Sequence, residues 1–534
     1  MKELPKEIKE TIDNSKTEIV TSPPELVPYD ISFTPYPSEE VASDPDTLRA
    51  YNEQANERTP KWLDLWFVYK KPTRNKLGGS ITLNHDVDDV TYGDAFLRTN
   101  IMKRSKGMME GFNYLPNKGI WNIYGKGESQ ATIESILTRD LRAWGVYENN
   151  TVNRVRLYIL RMMFDRSLGN KSPFDTARPE LVAFKNGTYN ILTDELQPHN
   201  PNNYLLTYHN YNINPDINEC PATDHLMKKM FGDASITLKE YIGYMFYHSY
   251  SKFNKAVFLH GTGGNGKSTF INHVLKNVIG DDNNSAIPPD QMGGKQNRFN
   301  TAELFRKEVN MVADIDDEYI ENTAILKNLT GGDSINAEFK GITGFHFRNY
   351  AKLLFSANSL PKFKDDTDGF ASRLITIDTI SPNTRNEPNG HPEWWNDIDM
   401  NKIKKEAPIF AVNCMQLFSK VIKRNAFTIP RSVQISTNKW KDDNDKFKQF
   451  ISDCFEFTND DTNGEKAVYI HDAWVKYARG NGYSDKMSIS TIANKLEKYG
   501  IYKKKSRNGN GISDTANPVS RFMGIRVITD NGYD

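Results

Sequence analysis

Cysteine is scarce. Cys220, Cys414 and Cys454 stand far apart in 534 residues, with no CxxC pair. Neither a disulfide framework nor a cysteine-based zinc site is expected. The ten histidines match no HExxH or Cys/His spacing either. Net charge is missing: 68 Lys and Arg meet 68 Asp and Glu. That excludes a globally basic nucleic-acid coat and an acidic tail protein, and leaves local asymmetry open. Long apolar runs are missing too. None approaches the roughly 18 residues of a membrane helix. The charged start MKELPKEIKE lacks the apolar centre of a secretory signal. A soluble, cytoplasmic protein without a membrane partner is the expectation.

What is present is aromatic. Mean hydropathy is −0.64, yet 28 Phe, 25 Tyr and 8 Trp supply bulk for several cores. At roughly 100–200 residues per domain, the length predicts about three. Residues 1–60 hold eight prolines, no glycine, and six basic against thirteen acidic residues. They read as an acidic, extended segment with room for a short helix before Ser22. Residues 61–250 read as an α+β region. Trp62, Leu65, Trp66 and Tyr69 recur at helical spacing, and Ile133 to Phe164 also reads helical. Phe184 to Leu192 predicts strand, turn at Asn186-Gly187, and strand; Leu226 to Tyr250 predicts helix. Residues 251–385 alternate apolar strands with helical stretches, the pattern of an α/β sheet. The Pro/Asn/Gly run 381–395 marks a boundary. Residues 386–435 read as a helical lid or linker, and 436–534 as a small α+β module.

The chemistry concentrates in one loop. Ala256-Val-Phe-Leu-His260 is a buried-strand candidate. Gly261, Thr262, Gly263, Gly264, Asn265, Gly266, Lys267, Ser268 and Thr269 follow it and fit G-x-x-x-x-G-K-[ST]. A helix is predicted from Phe270 to Val278. Glycines let backbone N–H groups face phosphate oxygens, and the helix N-terminus favours their charge. Lys267 would reach the β- and γ-phosphates of ATP, and Ser268 would ligate Mg²⁺. A second carboxylate is needed beyond an apolar strand. Asp314, ending Val-Asn-Met-Val-Ala, is the first choice for Mg²⁺ and water polarisation. Asp316 and Asp317 are second choices, with a solvated loop an equal reading for both. A third strand, Lys352-Leu-Leu-Phe-Ser-Ala, ends in Asn358, which can orient the attacking water or simply form a turn. Arg373 is a candidate to stabilise phosphoryl charge from a neighbouring subunit.

The constellation Lys267, Asp314, Asn358, Arg373 resembles that of superfamily 3 helicases of the AAA+ class, found in phage, plasmid and viral replication. The resemblance implies that Asp314 is the second Walker B acid, Asn358 the sensor-1 residue and Arg373 the arginine finger. The first Walker B acid falls on Ala313. That departs from the two-acid pattern and leaves the roles of Asp314, Asp316 and Asp317 open. Leu326 to Asp333, followed by Phe339-Lys340-Gly341, is similar to the family's pore-hairpin segment. There Lys340 would meet DNA phosphates and Phe339 a base or sugar. Upstream, Phe184 to Leu192, Pro198-His199 and Cys220-Pro221 resemble the N-terminal region of poxvirus- and phage-type primase-helicases. In all, the resemblance covers roughly residues 130–380. It implies a homohexameric ring, ATP sites between subunits, and 3′-to-5′ tracking on single-stranded DNA to unwind forks or an origin. A loader, a primase or a single-strand-binding protein are the implied partners.

The C-terminal module reads as two helices, 470–479 and 488–499, then a basic hairpin: a winged-helix outline, which ends many members of that family. Across 481–526, nine basic residues face three acidic ones. Lys503, Lys504, Lys505 and Arg507 are the candidate phosphate contacts. Residues 1–130 offer neither zinc spacing nor an acidic triad, and the Asp86-Val-Asp-Asp89 cluster reads as a surface loop. A helicase without primase activity is therefore predicted. The alternatives are a primase-helicase with a polymerase site within 61–250, and an AAA+ ATP switch that assembles without unwinding.

Overall fold

The computed structural model describes residues 36–528, apart from 75–77, 105–110, 125–126, 166–173, 175–176, 293–297, 317–319, 321–322, 339–344, 364–367, 459–463, 482–484, 510–511 and 514–518. Helix α1 (Pro45–Glu57) starts on Asp44, whose carboxylate accepts the Thr47 amide at 2.9 Å. Pro45 takes the first helical position, where its missing N–H costs nothing. The proline-based expectation of an extended segment therefore fails over 45–57. The helix caps strand β1 (Leu63–Lys70), which pairs antiparallel with β2 (Ser80–Val87). Asn52 exchanges hydrogen bonds with the Phe67 backbone at 2.8 and 3.1 Å, and Asn56 does so with Leu65 at 2.8 and 2.7 Å. The two amides stand where a neighbouring strand would, and close that edge.

The helix expected from Trp62, Leu65, Trp66 and Tyr69 is thus a strand. Leu63, Leu65 and Phe67 are buried while Asp64 and Trp66 are exposed, a period of two. Asp88 of the acidic cluster caps α2 (Asp89–Thr99), and Asp89 pairs with Arg154 at 2.7 Å. The expected long helix after Ile133 is two, α3 (Glu128–Ala143) and α4 (Asn149–Met162), broken where Gly145 takes φ +73°. Strands β3 (Leu181–Phe184) and β4 (Gly187–Asn190) form the expected hairpin, and β5 (Tyr208–His209) joins β3 in parallel. Helices α5 (Pro221–Phe231) and α6 (Ser235–Met245) follow.

A five-stranded parallel sheet comes next. It contains β6 (Ala256–His260), β7 (Asn284–Ser285), β8 (Val309–Ile315), β9 (Lys352–Ala357) and β10 (Leu374–Asp378), in the order β7-β8-β9-β6-β10. Helix α7 leaves the loop after β6 as three contiguous pieces, Lys267–Phe270, a π-helical turn Ile271–Leu275, and Lys276–Ile279. Helix α8 (Thr323–Gly331) lies between β8 and β9. Both faces of the sheet are covered, as parallel sheets require. Val257 and Leu259 face a core shared with α5 and α6, whereas Ala256 and Phe258 face a second core with Leu326 and Trp440.

Helix α9 (Met400–Arg424) lies within the stretch expected as a lid or linker. It runs along α6 and buries Phe410, Cys414 and Phe418 in the first core. In the C-terminal module, α10 (Ala467–Gly480) and α11 (Ile489–Lys498) precede β11 (Lys503–Ser506), which pairs antiparallel with β12 (Val519–Met523). Ser488 caps α11 by accepting the Thr491 amide at 3.2 Å. No helix among the described residues is long and apolar enough to cross a membrane.

Candidate nucleotide-binding site

All five parallel strands end on one edge, the side where ligands bind in such sheets. The 261–269 loop leaves the interior strand β6 there. Gly264 and Gly266 both take φ +85°, which L side chains rarely adopt. A Cβ on Gly264 would stand 2.1 Å from Asn383 Oδ1, and one on Gly266 would stand 2.8 Å from Trp395 Cζ2. Lys267 begins α7 and is 5% exposed. Its ammonium donates to Gly261 O at 2.6 Å, Asn265 Oδ1 at 3.0 Å, Asn358 Oδ1 at 3.1 Å and Thr262 O at 3.3 Å. Burial lowers its pKa from the ordinary lysine value, and the Asp314 charge opposes that. A cation held this way is desolvated in advance, and phosphate oxygens can replace its four partners.

Asn358 follows β9, the strand beside β6, so two neighbouring strands bring it to Lys267. One strand further out lies β8. Ser268 Oγ donates to Ala313 O at 3.1 Å, which ties α7 to this strand. The β8–β9 register slips there: Val312 faces Phe355, but Ile315 faces Ala357. Ala313 and Asp314 together oppose Ser356, a β-bulge of the kind that re-aims side chains beside active sites. Asp314 and Asp316 are both exposed. Both line a cavity of about 200 Å³ with Pro288, Asp290, Gln291 and Pro361. Asp317 lies outside the described residues.

Arg373 is not brought to this edge. It precedes β10, and its carbonyl accepts the Ala256 amide at 2.9 Å, at the start of β6. Its guanidinium donates to Lys327 O and, at 2.8 Å, to Thr330 Oγ1 at the end of α8. Phe339 and Lys340 lie outside the described residues; strands Ser334–Ala337 and Phe345–Arg348 on either side of them pair antiparallel. Lys503, Lys504 and Lys505 are exposed on β11, and Arg507 is exposed just beyond it.

Two features escaped the sequence reading. The run 381–395, a boundary by its composition, packs on the phosphate loop: Thr384 N and Oγ1 both donate to Gly264 O at 2.8 Å. Its polar composition marks a loop, not what the loop touches. Glu308, at the start of β8, is fully buried. It accepts from Thr207 Oγ1 at 2.8 Å and pairs with His248 at 2.9 Å and His209 at 3.0 Å.

Residues 259–373, from β6 to Arg373, match a family described as "Family of unknown function (DUF5906)". Residues 146–232 match the family "D5 N terminal like". A curated relative from Acanthamoeba polyphaga mimivirus, "Putative helicase L207/L206", is 24% identical over 326 residues, covering 56% of this chain and 33% of the relative. The chain thus spans about a third of that relative's length. Two apo structures of the NrS-1 C-terminal region superpose with a TM-score of 0.43. One is 13% identical, over 82% of this chain and 100% of the other; the second is 12% identical, over 82% and 99%. The chain is therefore similar in sequence to a viral helicase-like protein.

Proposed function

We propose that the chain is an ATP-dependent DNA helicase of a phage or other mobile element, an AAA+ motor of the superfamily 3 type. It works as a hexameric ring, tracks single-stranded DNA 3′ to 5′, and doubles as an origin-binding initiator through a winged-helix-like C-terminal module. One observation carries the reading. The 261–269 loop sits on an interior parallel strand, with Lys267 3.1 Å from Asn358 at the end of the next strand and Ser268 against the strand of Asp314. The similarity of residues 146–232 to the "D5 N terminal like" family and the helicase name of the mimivirus relative support the DNA-motor part.

The residues fit ATP with Mg²⁺. Ser268, Asp314 and Asp316 offer hard oxygen donors. Among the described residues no group of three or more His, Cys, Asp or Glu could hold a metal ion. Mg²⁺ at Ser268 and Asp314 would therefore draw further ligands from phosphate and water, and it would neutralise charge on the β- and γ-oxygens. Loop N–H groups bind the phosphates. Lys267 exchanges its four oxygens for phosphate oxygens. Asn358 orients the attacking water, and Asp314 polarises it, with Asp316 on the same cavity as second choice. Arg373 of a neighbouring copy stabilises the phosphoryl charge. Lys340 with Phe339, and Lys503, Lys504, Lys505 and Arg507, grip the DNA backbone, so affinity falls as salt rises.

ATP hydrolysis with and without single-stranded DNA, run beside strand displacement on a forked duplex, tests this. DNA-stimulated hydrolysis and unwinding are expected, and Lys267→Ala should lose both. Hydrolysis indifferent to DNA, with no displacement, would sink the helicase reading and favour an ATP switch.

A further inference from the structure

We infer that Arg385 is a second cation for the nucleotide's polyphosphate, supplied in cis by a strap, residues 379–397, that seats on the phosphate loop. The inference rests on the reading of residues 261–269 as a nucleotide site. Strand β10 runs parallel to β6, with His260 beside Asp378, so the chain leaving it emerges on the loop's own edge. Thr379 N donates to His260 O at 2.8 Å, and the Asn265 amide donates to the Thr379 hydroxyl. Ser381 Oγ donates to Asn265 O at 2.6 Å, and Thr384 donates twice to Gly264 O. The strap thereby satisfies loop carbonyls that would otherwise repel an anion.

Its path puts Arg385 beside the loop. The Arg385 Cδ stands 3.2 Å from the Cβ position of Gly264. A tight turn holds it there: Asn383 Oδ1 accepts Arg385 N at 3.1 Å, and His391 N closes onto Asn383 O at 2.7 Å. The far end is pinned to α5. Lys229 donates to Trp394 O and to Asp397, and His225 meets Asp397 at 2.8 Å. The strap is therefore an anchored wall of the site, not a free connector.

Arg385 itself is exposed and makes no ion pair among the described residues. Lys267 is already surrounded by four oxygens, whereas this guanidinium is uncommitted. Its planar fork matches phosphate oxygens in a bidentate way. A charge-assisted pair of that kind is worth about a tenfold to hundredfold in affinity.

Isothermal titration of the full chain with ATP and Mg²⁺ tests the assignment, using native protein, Arg385→Ala, Arg385→Lys and Lys267→Ala. Melting temperatures are recorded for each. Arg385→Ala should bind ATP about ten- to a hundredfold more weakly with an unchanged melting temperature, and Arg385→Lys should recover part of the loss. If Arg385→Ala binds within about twofold of native while Lys267→Ala fails to bind, Arg385 has no such role and the nucleotide site stands. Equal weakening in both Arg385 variants with lowered melting temperatures would make Arg385 a structural prop and overturn the inference. A native chain that binds no ATP would overturn the inference and the nucleotide reading together.

Discussion

Glu308 carries a charge with none of its surface exposed. Burial pushes its carboxyl upward, but His209 and His248, through charge and hydrogen bonds, outweigh that and hold it far below the ordinary 4.5. A depressed carboxyl contributes stability that is fully present above 4.5 and is lost as pH falls through the folded value. Glu308→Gln removes that charge and leaves its partners in a dry site. We expect a loss of about 3–5 kcal/mol at neutral pH, the usual cost of breaking a buried pair. Chemical denaturation of both proteins at descending pH would check it: the gap should be constant down to about 4.5 and shrink below. A gap that ignores acid would show that the ion is not its source. Lys352 lies beside this group, its ammonium donating to Tyr247 O and Tyr350 O at 2.6 Å and 4.3 Å from the centre of the Tyr244 ring. None of this is visible as a motif, because Thr207, His248, Glu308 and Lys352 are separated by stretches of some forty residues or more that only the tertiary fold closes.

Where whole elements meet, the informative residue is Gly243 on α6. A Cβ there would stand 2.0 Å from the Cys414 carbonyl oxygen of α9, which is backbone and cannot turn aside. Gly243→Ala must therefore separate two helices that share the first core. A loss of about 1–3 kcal/mol is expected, the usual cost of overpacking, read as a lower denaturant midpoint with an unchanged far-UV spectrum. A midpoint equal to native would mean that the crossing is looser than its geometry. Elements that declare themselves locally were legible: the strand, loop and helix of 256–279 and the hairpin of β3 and β4. Trp62 to Tyr69 was not. The same stretch satisfies a helical stripe at 62, 65, 66 and 69 and a strand alternation at 63, 65 and 67. The pairing with β2 and the amides of Asn52 and Asn56 decide it, and both lie outside the window. The helix at 45–57 was hidden inside the proline-rich stretch 1–60, because the place of Pro45 at the head of a helix depends on the cap before it. In the site, the motif residues Lys267, Ser268, Asp314 and Asn358 converge because each ends or follows a parallel strand. The strap was missed because polar loop residues carry no periodicity that points to a partner.

Taken as one molecule, the chain separates Arg373 from its own phosphate loop. Arg373 stands at the start of β10, and the 261–269 loop follows the end of β6, which runs parallel in matched register. Five residues of strand lie between the two edges, about 16 Å at 3.3 Å per residue. Held at the end of α8, where the helix dipole favours a cation, Arg373 cannot serve the loop of the same chain. It can serve the loop of a neighbour, and a site shared in this way exists only in an assembly whose copies meet through that interface. The consequence is testable without a structure of the assembly. Lys267→Ala retains Arg373 but loses its own loop lysine, while Arg373→Ala does the reverse. Each alone should hydrolyse no ATP. Mixed in equal amounts and allowed to exchange, the two should form intact sites at about a quarter of the interfaces if subunits assort at random. Hydrolysis should recover toward that fraction of the native rate and rise with total protein concentration. The mixture must also be shown to co-assemble, for instance with one variant carrying an affinity tag. Co-assembled but inactive mixtures would mean that Arg373 only braces α8 through Lys327 and Thr330, and that the charge for the transferred phosphoryl comes from elsewhere on the neighbouring surface.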